Sequence, residues 1–119
     1  MSGSSGQVRD VAGARVVMLP ADLDQRLADR LRPALLEAAE SGRDLVIDMR
    51  DAATIDPAGL GLLVRAHRAA RQHGATLCLV APSRFVLTVL HTMRLDGVFP
   101  IFADLQAALA MPERSAASA

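Results

Sequence analysis

The chain has 119 residues, of which 51% are hydrophobic and 3% aromatic, and its 13 basic residues balance 13 acidic ones. This length and composition suit one domain with an aliphatic core. A neutral chain with few aromatic rings lacks the basic charge and the stacking surfaces of a nucleic-acid binder, so we expect no nucleic acid among its partners.

Three further features concern the compartment and the ends of the chain. Cys78 is the single cysteine, which excludes an internal disulfide and a thiolate-rich zinc site. No apolar stretch reaches the roughly 18 residues that a membrane span requires, and no signal-peptide pattern is visible. We therefore expect a cytoplasmic protein without direct membrane insertion. Residues 1–7 and 112–119 are expected to be disordered, and residues 8–111 to form the domain.

Short apolar runs rich in β-branched residues predict strands at 14–20, 44–49 and 75–81. A weaker run at 98–103 contains a proline, which suits an edge strand, and residues 8–12 are a weaker candidate for a first strand. The central runs are mostly apolar, without alternation, which indicates burial on both faces of a parallel sheet.

Between these strands, apolar residues recur at helical spacing, which predicts helices. The first helix falls between 24 and 41, with Pro33 inside it, where we expect a kink or a broken first turn. The second runs from 57 to about 73, a third follows Ser83, and a short fourth spans 104–110. Strands that alternate with helices predict an α/β fold, with a mixed, mostly parallel β-sheet of about five strands flanked by about four helices.

The stretch TIDPAGLGLL combines an acid, a proline and two glycines ahead of an apolar run. Asp56 suits an N-cap, because its carboxylate can accept a hydrogen bond from the N–H of Ala58 or Gly59. Pro57 suits the first helical position, where a missing N–H costs nothing. Gly59 and Gly61 lack a Cβ, so we expect a bare first turn that another backbone or an anion could approach.

The residues of the chain do not match the known motifs of catalytic, cofactor-binding or metal sites. The GLG triplet matches the start of a dinucleotide fingerprint, but Val64 occupies the third glycine position and no P-loop Lys-Ser/Thr pair follows. Acids near strand ends suit helix caps. His67, His73 and His91 lack metal-ligand spacing, and no Gly-x-Ser-x-Gly elbow occurs. We therefore expect no enzyme, no catalytic residue, no metal and no cofactor.

The helix that follows the turn carries a basic face, made of Arg65, His67, Arg68, Arg71 and His73. One interpretation is ordinary solvated charge. The other is a docking surface for an acidic partner. The sequence alone leaves both open.

The order and spacing of these pieces resemble the STAS domain, the fold of bacterial anti-sigma factor antagonists, over residues 14–109. The longest part, VIDMRDAATIDPAGLGLLVRAHRAARQHGATLCLV, is similar to the family's strand, Asp-Ser-Ser/Ala-Gly-Leu turn, amphipathic helix and following strand. LPADLD is similar to its Gly-Glu-Leu-Asp loop, and VLHTMRLDGVFPIF to its last helix and strand. The resemblance implies the STAS-like mixed sheet flanked by helices.

The resemblance also implies a non-enzymatic signalling protein. Family antagonists bind an anti-sigma factor, usually a serine kinase of the histidine-kinase-like ATPase type, and thereby free a sigma factor. The implied partner-binding residues are Asp22, Asp24, Asp56, Pro57, Ala58, Gly59, Leu60, Gly61 and Arg65. A Gly59→Arg variant is then expected to lose the partner without unfolding. The alternative is a cytoplasmic STAS accessory subunit of a lipid-transport ABC system, docked on the ATPase subunit of the transporter.

The chain departs from the family pattern at the position of the phosphorylated serine, which is Pro57 here, followed by Ala58. Neither side chain has a hydroxyl, so no phosphorylation is expected at this site. Thr54 is the nearest hydroxyl, but it lies in the approach to the turn and is a poor substitute. A glycine that often ends the family's third helix is Arg94 here, so we expect that cap to be made differently.

Overall fold

A computed structural model describes residues 8–110 of the chain; the ends that were expected to be disordered, 1–7 and 112–119, lie outside the described residues. The elements follow in the order β1 (Val8–Val11), β2 (Ala14–Met18), α1 (Gln25–Ala39), β3 (Leu45–Asp48), α2 (Pro57–Gln72), β4 (Leu77–Val80), α3 (Arg84–Thr92), β5 (Ile101–Phe102) and α4 (Leu105–Leu109).

All of these strands belong to one sheet with the order β1-β2-β3-β4-β5. β1 pairs antiparallel with β2, whereas β2, β3, β4 and β5 run parallel to one another. Parallel neighbours need a crossover connection, and α1, α2 and α3 each provide one. The predicted α/β fold, with a mixed and mostly parallel sheet of five strands and four helices, is confirmed for the described residues.

Side chains of each strand alternate between the two faces of the sheet. Val17, Ile47 and Leu79 belong to the larger core cluster, which also contains the buried residues of α1, α2 and α3. Val46 and Cys78 belong to a smaller cluster on the opposite face, to which α4 contributes. The central strands β3 and β4 are therefore buried on both faces, and α1, α2 and α3 share one side of the sheet.

α1 continues through Pro33 without a break, so the expected broken turn does not occur. A proline inside a helix removes one backbone hydrogen bond. Here the ring lies on the exposed side of the helix, while Leu27, Leu31 and Leu35 bury the opposite side. Burial of this apolar face supplies most of the stability of a helix in a protein, which offsets the lost bond.

The cap of α3 is made in the usual way, although the sequence led us to expect a different one. Arg94 takes the left-handed conformation, with φ of 60°. Its N–H donates to the carbonyl of His91 (3.0 Å), and the N–H of Leu95 donates to the carbonyl of Leu90 (2.7 Å). These two bonds form the Schellman motif. The arginine therefore adopts a glycine-like conformation, at a cost of about 1 kcal/mol.

Candidate protein-binding site

Hydrogen bonds tie the segment before α1 to the segment before α2. The N–H of Leu23 donates to the carbonyl of Thr54 (3.1 Å), and the N–H of Asp56 donates to the carbonyl of Leu23 (3.2 Å). Both segments follow parallel strands, so they meet at the carboxyl edge of the sheet. We call residues 20–24 and 53–61 together the helix-start edge.

Asp22 reinforces this connection. Its Oδ1 accepts hydrogen bonds from the N–H groups of Ala53 (2.7 Å) and Thr54 (3.1 Å). The bond from Ala53, followed by those from Thr54, stabilises the carboxylate and holds the pKa of Asp22 below its usual value. The side chain is exposed, so its negative charge remains at the surface of the helix-start edge.

Asp24 and Asp56 cap the two helices that begin at this edge. Oδ1 of Asp24 accepts from the N–H of Leu27 (2.9 Å), and Oδ1 of Asp56 accepts from the N–H of Gly59 (2.9 Å), which confirms the predicted N-cap. The other oxygen of Asp56 accepts from the N–H of Gln25, at the start of α1 (2.9 Å). One carboxylate thus satisfies free N–H groups at the starts of both helices.

The two glycines of the turn have different surroundings. Gly59 is buried, and a Cβ there would lie 2.4 Å from the carbonyl oxygen of Leu23. The expectation that Gly59 stays uncovered for a partner is therefore wrong, because the missing side chain makes room for Leu23. In place of the earlier expectation, we now predict that Gly59→Arg destabilises the fold. Gly61 is exposed, with no atom within 4 Å of a Cβ built there. It is the glycine that leaves the helix surface bare.

The structure brings the expected partner-binding residues to the helix-start edge, except Arg65, which lies further along α2, and it does not bring all of them to the surface. Exposed members of the set are Asp22, Asp24, Pro57, Gly61 and Arg65. Asp56 and Ala58 are half-buried, and Leu60, at 9% exposure, belongs to the core. Gly59 and Leu60 can therefore support a contact surface but cannot form its outer layer.

Ser83 also lies at this edge, whereas the sequence predicts only that the third helix follows it. Its hydroxyl donates to the carbonyl of Ala53 (2.7 Å) and accepts from the N–H of Val86 (3.1 Å). A role of Ser83 as N-cap can be predicted from the sequence, because serine is a preferred residue at this position. The bond to Ala53, across 30 residues, depends on the tertiary fold.

The expected basic face of α2 is interrupted by His67. Its ring packs edge-on against Phe99, with 5.4 Å between the ring centroids, and its buried Nδ1 has no hydrogen-bond partner among the described residues. Burial is the main cause that lowers the pKa of His67, and the charges of Arg71 and Arg68 lower it further. His67 is therefore a packing residue, whereas Arg65, Arg68 and Arg71 remain exposed.

Among residues 8–110, no group of three or more His, Cys, Asp or Glu side chains is placed to hold a metal ion. None of the helices in this range combines the length and the apolar character that crossing a membrane demands.

Comparison with known proteins gives a family match. The family model described as "STAS domain" matches residues 6–108. A comparison with curated protein sequences finds no match to the chain.

Solved structures with the same fold include an anti-sigma-factor antagonist (STAS) domain protein from Planctomyces limnophilus. Its TM-score is 0.80 at 23% identity, over 87% of this chain and 93% of that one. A proposed anti-sigma factor antagonist from Thermotoga maritima has a TM-score of 0.75 at 20% identity, over 87% and 90%. A sulfate transporter family protein from Wolinella succinogenes has a TM-score of 0.72 at 22% identity, over 82% and 83%. At these identities the likeness shows the fold.

Proposed function

The chain belongs to the STAS domain family, and from that premise we propose that it is a non-enzymatic regulator of the anti-sigma factor antagonist type. It acts in the bacterial cytoplasm and controls transcription by binding an anti-sigma factor, a serine kinase of the histidine-kinase-like ATPase type. The observation that carries this proposal is the helix-start edge, where the bare helix surface at Pro57 and Gly61 lies beside the exposed acids Asp22 and Asp24.

The same edge argues against a phosphorylation switch. Pro57 occupies the position of the family's phosphorylated serine and has no hydroxyl. The hydroxyl of Ser83 at this edge is already bonded to the carbonyl of Ala53. We therefore propose that binding of this protein to its partner is not switched off by a phosphate in the turn.

A second candidate function is that of a cytoplasmic accessory subunit of a lipid-transport ABC system. Pro57 favours it, because a domain that only docks on a transporter ATPase subunit needs no phosphorylated serine. The structural likeness to a sulfate transporter family protein is compatible with this role at the level of the fold.

Affinity capture with the tagged chain tests the site and chooses between the two candidates. Gly61→Arg adds a long side chain to the exposed helix start, where open space accepts it. Gln72→Arg, at the exposed end of the same helix, is the matched control. We expect the wild type and Gln72→Arg to retain a kinase-type anti-sigma factor, identified by mass spectrometry, and Gly61→Arg to lose it. Equal capture by all three would contradict the site, and capture of a transporter ATPase subunit would select the second candidate.

Incubation of the captured kinase with ATP tests the missing switch. We expect Pro57→Ser to incorporate phosphate, because it restores a hydroxyl at the first position of α2. The wild type should remain unmodified in the same reaction. Phosphorylation of the wild type to the level of Pro57→Ser would refute the proposed absence of the switch.

A further inference from the structure

The segment that contains α2 and α3 has a one-sided charge. From Pro57 to Leu95 the chain carries five arginines and no aspartate or glutamate, although the whole chain is neutral. These arginines are Arg65, Arg68, Arg71, Arg84 and Arg94. All are exposed, and none forms a salt bridge with another described residue. The acid that follows the segment, Asp96, is already bonded to His91 (2.6 Å).

α3 exposes large apolar side chains in the same segment. Phe85 is 50% exposed and Met93 is 56% exposed, and the half-buried Val89 lies between them. The three recur every fourth residue from the start of α3 to its cap, so they form one stripe along the helix. Single exposed apolar residues are ordinary, but an aligned stripe on a helix that buries just Val86 and Leu90 indicates a contact surface.

α2 and α3 present these features on the same side of the molecule. Both helices cover the same face of the sheet, and they connect neighbouring strands. α2 packs closely against α1 but not against α3. Arg71 lies one turn after His67, whose ring contacts Phe99 in the segment before β5. Arg71 therefore lies on the flank of α2 that faces the α3 side.

We propose that this surface, made of Arg68, Arg71, Phe85, Val89 and Met93 and called here the α2–α3 surface, docks an acidic amphipathic helix of the protein partner. The inference rests on the proposed partner-binding function and specifies the chemistry of that partner. The partner's carboxylates pair with the arginines, and its apolar side chains, at helical spacing, cover the stripe. Charge complementarity selects this occupant, because Arg68 and Arg71 have no acidic partner among residues 8–110 and therefore favour a negatively charged surface.

The probe is a fluorescent synthetic peptide with leucines at helical spacing and glutamates elsewhere. Fluorescence anisotropy measures its affinity for the full chain. Two double variants test the two halves of the surface: Arg68→Glu/Arg71→Glu and Phe85→Ser/Met93→Ser. Each should weaken binding at least about tenfold, as is common for central contacts. The matched control, Arg26→Glu/Arg30→Glu, makes the same charge change at exposed positions of α1 and should keep the affinity within about twofold.

Four outcomes would overturn the inference. The first is an equal loss of peptide affinity in the α1 control variant, which would mean that net charge alone attracts the peptide. The second is equally tight binding of a scrambled peptide without an apolar face. The third is tighter binding to phosphatidylserine vesicles than to the peptide, which would assign the surface to a membrane. The fourth is a dimer in sedimentation experiments that Phe85→Ser/Met93→Ser dissociates, which would assign it to a second copy. Circular dichroism confirms that each variant is folded.

Failure of this inference is distinguishable from failure of the proposed function. If Gly61→Arg loses the captured partner while Phe85→Ser/Met93→Ser keeps it, the proposed function stands and the α2–α3 surface is refuted. If the wild type captures neither class of partner but binds the peptide with the expected variant pattern, the proposed function fails and the docking surface stands.

Discussion

α2 and α3 are neighbours on one face of the sheet, yet the fold holds them very differently. α2 has 16 residues, six of them buried, and Asp56 ties its start to α1. α3 has nine residues, two of them buried, and Arg94, just beyond its C-cap, takes a conformation that favours glycine. The difference shows that α2 fixes the helix-start edge, whereas α3 is anchored lightly and presents its apolar side chains outward.

Disrupting the contact between the start of α2 and Leu23 should have the largest effect on stability. Gly59→Ala places a Cβ against the backbone of Leu23, and we expect a loss of about 3 kcal/mol in the free energy of unfolding, as for an overpacked core. Gly61→Ala, two residues along the same helix, is the control and should stabilise by up to about 1 kcal/mol because alanine favours helix. Urea unfolding followed by circular dichroism measures both. Similar effects at the two glycines would contradict the structural difference between them.

The second prediction compares the acids that begin α1 and α2. Asp56→Ala removes acceptors from two backbone N–H groups, those of Gly59 and Gln25, and should cost about 2 kcal/mol. Asp24→Ala removes one acceptor, for Leu27, and should cost about 1 kcal/mol. Urea midpoints at constant slope give the two values. An Asp24→Ala loss as large as that of Asp56→Ala would show that the bond between the helices contributes nothing.

The ends of the two helices give the third prediction. Arg94→Gly removes the strain of a left-handed arginine and should stabilise the protein by about 1 kcal/mol. Gly74→Ala introduces a Cβ into the same conformation at the end of α2, where φ is 77°, and should destabilise by about 1 kcal/mol. Thermal unfolding should shift in opposite directions for the two variants. A lower midpoint for Arg94→Gly would mean that the arginine side chain contributes more than its backbone strain costs.

The smallest effect concerns pH. Burial holds the pKa of His67 below its usual 6.5 in the folded chain, so the unfolded chain binds this proton first as the pH falls. The free energy of unfolding should therefore decrease as the pH falls from about 6.5 toward the lowered folded value, and should level off below it. Urea unfolding at about pH 8 and about pH 5.5 should show a larger decrease for the wild type than for His67→Leu. Identical decreases would assign the pH dependence to other groups.

The helix-start edge shows how far its residues could be predicted. The resemblance to the STAS family placed Asp22, Asp24 and the turn in one expected binding site, and the structure joins the two segments by direct hydrogen bonds. The bond from Ser83 to Ala53 escaped prediction, because an N-cap serine gives no sign of the carbonyl that its hydroxyl will meet. His67 looked like part of a basic face because helical spacing does not reveal the contact with Phe99.

The sequence by itself determined where the central strands and the helices lie, the Asp56 cap and the absence of a hydroxyl at Pro57. These features depend on side-chain type and on the spacing of residues that are close in the chain. Only the tertiary structure decided which of two nearby glycines faces Leu23 and which faces solvent. That choice depends on how a loop distant in sequence packs against α2, and nothing in the local pattern around Gly59 and Gly61 encodes it.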